Sequence, residues 1–523
     1  MNIDESKDSF KKYKDSPWRP YQRESVEFIL NSERKIQILE APTGSGKTAV
    51  AMTSGLVSGG MVYSVHTRLL QTQATDDHNE SAVSLFGRDN YTCRFNNDLT
   101  CGDCKSTKAN PCYYKKSGCP YGDQKRRALD SKLAILNFSF LISEANFVGQ
   151  FSNHAPLYVV DEADSLEATL QDFVSLSFSP YALRRLGLTE PARKTSTSKQ
   201  GIEPWVDFGK MAKQRVTRII ESLTHEIDSY GSKENVTEQQ MKQIKERSKV
   251  VRLSERIDIF LSKVDQSWLY EENERGIHFK PLWISEDLSS QFLFNHGNKW
   301  ALMSASFLPP HILLKTLGIP SDDYDYQCVP STFPVERRPI YIDPVCNLTR
   351  DTMDEEVPKL IEGIKKILAK HKNDKGLIHC VSYSLANKIY VGISDPRLII
   401  HNGQNRQEAL TSFMDSNQPL VMLSPSFERG VSLNQDLCRF IIVAKAPFLL
   451  LADKQTKART WSGQMGQDWY TATMMLNVLQ MLGRGMRSDD DFCTSYVLDQ
   501  QFSKSLMAHP SYWPCWIKDA IVF

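Results

Sequence analysis

The sequence predicts an α/β protein made of two parallel-sheet domains, the first of which carries a cysteine-rich insertion and a helical insertion. Three observations predict it. A short apolar strand, Lys35-Ile36-Gln37-Ile38-Leu39-Glu40, runs into Ala41-Pro42-Thr43-Gly44-Ser45-Gly46-Lys47-Thr48 and then into a helical stretch from Ala49 to Val57. Beyond Pro330, apolar strands alternate with helical stretches a second time, without a second glycine-rich loop. Between the two, apolar residues recur every three or four positions and interrupt the sheet pattern.

The glycine-rich stretch is the first element to justify. Glycines let backbone N–H groups close around phosphate oxygens, and the following helix N-terminus adds a favourable dipole. Lys47 is placed to reach terminal phosphates and the Thr48 hydroxyl to hold Mg²⁺, so Ala41 to Thr48 reads as a site for a nucleoside triphosphate. Ala41 stands where the general pattern has its first glycine. Upstream, Trp18, Arg19, Pro20, Tyr21 and Gln22 precede a helix, and Gln22 offers a planar amide to an adenine edge, although helix capping explains it as well.

Composition bounds the rest. The chain has 523 residues, enough for three or four domains, and a net charge of +1, so a nucleic-acid surface must be a local patch. The first fourteen residues are charged and polar, and the longest apolar run, Phe440 to Ala452, is interrupted by Lys445 and Pro447. No membrane span is expected, and a soluble, cytoplasmic protein is.

In chain order, Met61 to Val65 reads as a second strand ending at His66, Thr67 and Arg68, which places Thr67 and Arg68 at a strand's carboxyl end, where open parallel sheets bind ligands. Next come Cys93, Cys101, Cys104, Cys112 and Cys119, five of the eleven cysteines within 27 residues. Four thiolates this close suit a tetrahedral zinc or an iron–sulfur cluster equally, and the surplus thiol is Cys112 or Cys101. The other six cysteines look scattered, and in a reducing compartment the clustering favours metal over disulfides. Lys105, Lys108, Lys115, Lys116, Lys125, Arg126 and Arg127 lie among Tyr113, Tyr114 and Tyr121, a mixture suited to a single strand's phosphates and bases, with a solvated charged face as the plainer explanation.

Leu133 to Asn137 resumes the sheet, and Leu157 to Val160 ends in Asp161-Glu162-Ala163-Asp164. Asp161 would hold the Mg²⁺ shell and Glu162 orient the attacking water. From Leu166 to Ile284 an antiparallel helical pair is expected, with Val216, Ile219, Ile220, Leu223 and Ile227 on one helix, a break at Gly231 to Asn235, and Val250, Leu253, Ile257, Phe260 and Val264 on the other. Trp300 to Met303 returns to strand and ends at Ser304-Ala305-Ser306. The second α/β unit has strands expected at 376–380, 398–401, 420–424, 440–444 and 494–498. It offers Gln480-Met481-Leu482-Gly483-Arg484-Gly485-Met486-Arg487, whose two arginines three apart share a helix face. Arginines presented across a bound triphosphate act as fingers that stabilise transition-state charge; a surface arginine pair is the plainer explanation of the octet alone.

Together and in this order, from Trp18 to Leu498, these motifs resemble the XPD/DinG-like group of superfamily-two DNA helicases with an iron–sulfur domain. The resemblance implies two RecA-like motor domains that bind ATP and Mg²⁺ between them. It places Gln22 near adenine, Thr67 and Arg68 in a DNA contact, Ser382 and Tyr383 in a second, Glu428 and Gly430 in a further motif, and Gln480, Gly483, Arg484 and Arg487 in the finger motif. It implies a [4Fe–4S] cluster on four of the five cysteines, with zinc the lesser alternative. The implied division is 1–90, 123–165 and 286–325 for the first motor domain, 91–122 for the cluster domain, 166–285 for an arch-like helical insert and 326–523 for the second motor domain. The implied activity is 5′→3′ travel of a monomer on single-stranded and forked DNA. Ser306 and Ser432 depart from the group's pattern and motivate an alternative, an ATP-gated strand clamp with weak hydrolysis. An RNA motor is a third possibility, although the DEAD-box RNA helicases, which share the letters Asp-Glu-Ala-Asp, have no cysteine insertion at this place.

Overall fold

The computed structural model describes every residue except 1, 79, 105, 108–110, 116–117, 192–200, 230–236, 426–432, 434, 484 and 486–490. Its framework is two seven-stranded sheets, parallel throughout. In the first, the order is Tyr324–Cys328, Ile36–Glu40, Trp300–Ser304, Leu157–Asp161, Met61–Val65, Leu133–Asn137, Val83–Leu85. The central strands read as unbroken apolar runs because helices cover both faces, and Ile36–Glu40 and Met61–Val65 are buried along their whole length. In the second sheet the order is Leu398–Ile400, Val421–Ser424, Gly376–His379, Phe440–Val443, Thr494–Asp499, Ile340–Cys346, Ile521–Val522. The α/β expectation holds in both lobes. The edge strands Val83–Leu85, Tyr324–Cys328 and Ile521–Val522, and Ile340–Cys346 next to the last of them, carry no clear apolar run and are additions.

Parallel register aligns the strand ends that matter. Glu40 pairs with Ser304, and Asp161 pairs with Met303 on one side and Val65 on the other. The phosphate loop, the acidic strand end and the Ser304–Ser306 turn therefore emerge side by side at the carboxyl edge of one sheet.

The insert is more than a helical pair. Helices Glu203–Ser229 and Glu238–Lys263 form as their periodicity predicts, the second opened by a capping box in which Thr237 and Gln240 satisfy each other's backbone N–H groups. The expected break at 231–235 falls outside the described residues. Against the pair packs an antiparallel sheet of Leu176–Phe178, Gly276–Pro281 and Trp268–Asn273. Trp268, Tyr270, Ile277 and Phe279 alternate inward and join Trp205, Phe208 and Phe260 in a separate core. The helical insert is as expected and the small sheet is an addition to it: a period of two over Trp268–Asn273 is present in the sequence but too short to stand out beside two long helices.

The insert is braced on the second lobe. Arg459, on helix Lys454–Thr460, pairs with Glu167 at 2.7 Å and donates from Nε to the Leu282 carbonyl at 2.7 Å. Its guanidinium lies 4.4 Å from the Trp283 ring and 5.1 Å from that of Trp469. Among the described residues, no helix is long and apolar enough to cross a membrane.

Candidate active site

The phosphate loop follows strand Ile36–Glu40 directly and ends in helix Lys47–Val57. Gly44 and Gly46 both have positive φ, 84° and 83°, a backbone region that other residues enter only at an energetic penalty. Gly46 is doubly constrained, because a Cβ there would lie 2.0 Å from Gln22 Nε2. Gln22 is buried and braces the loop: Nε2 donates to the Ser45 carbonyl at 3.0 Å, and Oε1 accepts from the Arg19 N–H at 2.9 Å. The Arg19 guanidinium donates to the Gly44 carbonyl. The planar amide foreseen for an adenine edge is thus spent largely on the loop. Lys47 Nζ donates to the Ala41 carbonyl at 3.1 Å, folded back over its own loop.

Opposite the loop stands Asp161. Burial, and next the neighbouring Glu162 carboxylate, push its pKa up, while Lys47 pulls it down. A carboxylate in that position gains most from a cation, which is the electrostatic requirement of an Mg²⁺ ligand. Tyr63, from the middle of strand Met61–Val65, donates to Asp161 Oδ2 at 2.5 Å and also bonds the Thr48 hydroxyl. It bridges the two expected Mg²⁺ ligands. Nothing in the apolar run around Tyr63 marks that role; a buried tyrosine one strand away from the loop is the only sequence signal. Glu162 sits at φ 54°, a left-handed turn that ends the strand and swings the chain into the 3₁₀ turn Ala163–Ser165.

Asp164 joins the lobes. It accepts from Ser304 Oγ at 3.2 Å and from Gln480 Nε2 at 2.9 Å. Gln480 lies in the last turn of helix Gln464–Leu482, on the second lobe, and Leu482 and Gly483 just beyond it line a cleft with Pro42 and Thr43 of the phosphate loop. Helix Gln464–Leu482 therefore ends beside the glycine-rich loop. Arg484 and Arg487 lie outside the described residues, as do Glu428, Gly430 and Ser432.

A group not anticipated from sequence is Glu40, the last residue before the loop and 3% exposed. Oε1 accepts from the Phe307 N–H at 2.7 Å and Oε2 from the Tyr326 hydroxyl. Burial pushes its pKa up to about 7 against these two hydrogen bonds. Glu40 ties the loop's strand to the segment that follows Ser304–Ser306.

Thr67 and Arg68 are exposed at the end of strand Met61–Val65, where Thr67 Oγ1 accepts from the Leu70 N–H at 3.3 Å to start helix Arg68–His78. Ser382 caps helix Tyr383–Gly392 by accepting from the Leu385 N–H at 3.2 Å, and Tyr383 is 44% exposed. All four lie at carboxyl ends of strands in their respective sheets. Of the basic residues around the cysteines, Lys125 is not a surface cation: it pairs with buried Glu144 at 2.7 Å. Arg126 pairs with Asp123, Arg88 stacks over Tyr121 and Arg94 over Tyr114. Lys105, Lys108 and Lys116 are outside the described residues, and Tyr113 is 89% exposed.

The five cysteines converge as a chain of neighbours. Cys101 and Cys119 have their sulfurs 3.9 Å apart; Cys93 acts electrostatically on both Cys101 and Cys104, and Cys112 on Cys104. Burial and these neighbours raise the Cys101 thiol to about 12 and push Cys104 up. Among the described residues no three metal-ligating side chains are gathered around one point. Thiolates on one tetrahedral zinc would lie about 3.8 Å apart, given Zn–S bonds of about 2.3 Å. Cys101 and Cys119 lie at about that spacing, and a donor set made wholly of thiolates suits zinc and an iron–sulfur cluster alike.

Residues 364–518 match the family model of a helicase C-terminal domain. No curated protein matches the sequence. Among solved structures, the chain is similar to an apo XPD with 16% identity and a TM-score of 0.59, over 96% of this chain and 100% of that one. It is likewise similar to an XPD helicase, with 16% identity, TM-score 0.58 and coverage of 95% and 98%. An Xpd protein of S. tokodaii matches at 13% identity and TM-score 0.58, over 96% and 99%. Over about 96% of its length the chain therefore shares the fold of these XPD structures, and residues 364–518 of its second lobe match a helicase C-terminal domain.

Proposed function

We propose that this protein is an ATP-driven motor that travels on single-stranded DNA and opens forked duplex. The observation that carries the reading is the Gln480–Asp164 hydrogen bond, which brings the helix of the expected finger residues against the acidic box of the other lobe. ATP binds along Ala41 to Thr48, with Gln22 stiffening the loop and Lys47 leaving the Ala41 carbonyl for phosphate oxygens. Thr48 and Asp161 would hold Mg²⁺, which would supply positive charge against the phosphates. Glu162 orients the attacking water, and Arg484 and Arg487 supply positive charge from the second lobe. Closing and reopening of the cleft moves a strand held by Thr67 and Arg68 on one lobe and Ser382 and Tyr383 on the other. Travel in the 5′→3′ direction follows the resemblance.

Four of Cys93, Cys101, Cys104, Cys112 and Cys119 hold a [4Fe–4S] cluster in this reading, and the protein works inside the cell as a monomer. Anaerobic purification should give a brown protein with about four irons; a colourless protein with stoichiometric zinc overturns that assignment. The motor is tested by ATP hydrolysis with and without single-stranded DNA, with Lys47→Ala and Glu162→Gln as inactive controls. Strong stimulation by DNA supports it. Negligible, unstimulated turnover favours the strand clamp suggested by Ser306 and Ser432, and stimulation by RNA in place of DNA makes it an RNA motor.

A further inference from the structure

Of the six cysteines outside the cluster region, four meet in twos, one couple as free thiols and the other as a disulfide. Cys438 and Cys493 are buried and hydrogen-bonded to each other within the second lobe. Cys328 and Cys515 form a disulfide between residues 187 apart in sequence. The second pair, far apart in sequence, joins the lobes.

Each end of that bond is firmly held by its own lobe. Cys328 ends strand Tyr324–Cys328 in register with Glu40, the residue before the phosphate loop, and the next N–H, that of Val329, donates to the Glu40 carbonyl at 2.8 Å. Cys515 begins the short helix Cys515–Lys518. That turn is fastened to the second lobe by Arg338, which donates to the Trp516 carbonyl at 3.0 Å and to the Asp519 carboxylate at 2.8 Å, and by the pairing of Ile521 with Ile340. Trp516 and Ile517 form part of the cleft wall opposite Pro42 and Thr43.

The lobes are otherwise joined in the chain by a single passage, residues 329–339. The passage leaves the first lobe at Val329, next to Cys328, so the disulfide closes a loop over it: the two lobes are held at this point by one short covalent link in place of the whole length of 329–339, and the play between them shrinks. We propose that Cys328 and Cys515 are a redox-controlled second tether, whose closure restricts movement of the nucleotide cleft and whose reduction frees it. The inference rests on the motor reading for its effect on turnover, but not for the existence of the tether.

The chemistry is thiol–disulfide exchange. Cys515 is exposed and Cys328 half-buried, so small thiols reach the bond. On oxidation, the Cys515 thiolate attacks a low-molecular-weight disulfide, forming a mixed disulfide and releasing one thiolate. The Cys328 thiolate then attacks the Cys515 sulfur and expels the second. Two protons and two electrons leave the protein, and the small disulfide becomes two thiols.

The test uses the full chain equilibrated with oxidised or reduced glutathione, with peptide mapping under non-reducing conditions to establish the bond. DNA-stimulated turnover of the oxidised wild type should be lower than that of the reduced form by about fivefold or more, the scale of a coupling between two sites. Cys328→Ser and Cys515→Ser should turn over at the reduced wild-type rate in both buffers. Equal slowing of wild type and both variants on oxidation overturns the proposal and assigns the sensitivity to other cysteines. Absence of the Cys328–Cys515 peptide after oxidation overturns it outright. Should no form hydrolyse ATP, the motor reading fails, and the tether is judged by hydrogen exchange of amides 329–339: slower exchange when oxidised supports it, and identical exchange refutes it.

Discussion

Glu40 makes this protein's first lobe sensitive to pH, and Glu40→Gln should remove the effect. Its carboxyl is 3% exposed, and its pKa rises from an ordinary 4.5 to about 7 because burial outweighs the hydrogen bonds from Tyr326 and Phe307. The folded state therefore holds the Glu40 proton more tightly than the unfolded chain does. The resulting stability is fully present below about pH 4.5 and is lost as pH rises through about 7. A difference of about 2.5 units corresponds to about 3 kcal/mol at 1.36 kcal/mol per unit. Glutamine keeps the shape and stays neutral, so the variant should be more stable than wild type by less than about 1 kcal/mol at pH 5 and by about 3 kcal/mol at pH 8. Hydrogen exchange of the amides in strand Ile36–Glu40, measured for both proteins from pH 5 to 8 and corrected for intrinsic rates, isolates the residue from all other titrating groups. A variant-minus-wild-type difference that is flat across this range, or that favours wild type as pH rises, refutes the argument.

Gln480→Ala removes the hydrogen bond to Asp164 and leaves a carboxylate with one partner fewer at the seam; a loss of about 1.5–3 kcal/mol should lower DNA-stimulated kcat by about tenfold or more with little change in nucleotide affinity. A change in KM alone contradicts it. Lys125→Ala leaves the charge of Glu144, whose side chain is 1% exposed, with only the N–H groups of Gln150 and Phe151, and should destabilise the first lobe by about 3 kcal/mol, seen as a lower unfolding midpoint, without the salt-dependent loss of DNA affinity expected for a phosphate contact. Gly46→Ala must accommodate φ 83° and a contact of 2.0 Å with Gln22 Nε2, so ATP affinity measured by titration should fall by about tenfold or more while the rest of the lobe keeps its unfolding midpoint.

The sequence by itself determined the features written in contiguous residues. A strand, a glycine turn and a helix start occupy Lys35 to Val57, and an apolar strand with an acidic end occupies Leu157 to Asp164; periods of two and 3.6, with Gly at the turns, are local properties of the chain. The two parallel sheets and the long helices of the insert follow from the same signals. Tertiary structure alone decided which distant groups meet. Glu40 finds Phe307 and Tyr326 at separations of 267 and 286 residues, and Asp164 finds Gln480 at 316. Tyr63 becomes a bridge between Thr48 and Asp161 only because parallel pairing places its strand beside that of Asp161. Lys125 looked like one cation among many until packing set it on Glu144, and Cys328 and Cys515 looked unrelated until the C-terminal turn returned to the seam between the lobes. Side-chain type and spacing specify what a residue can do; burial and partners, which arise only when the layers close, decide what it does.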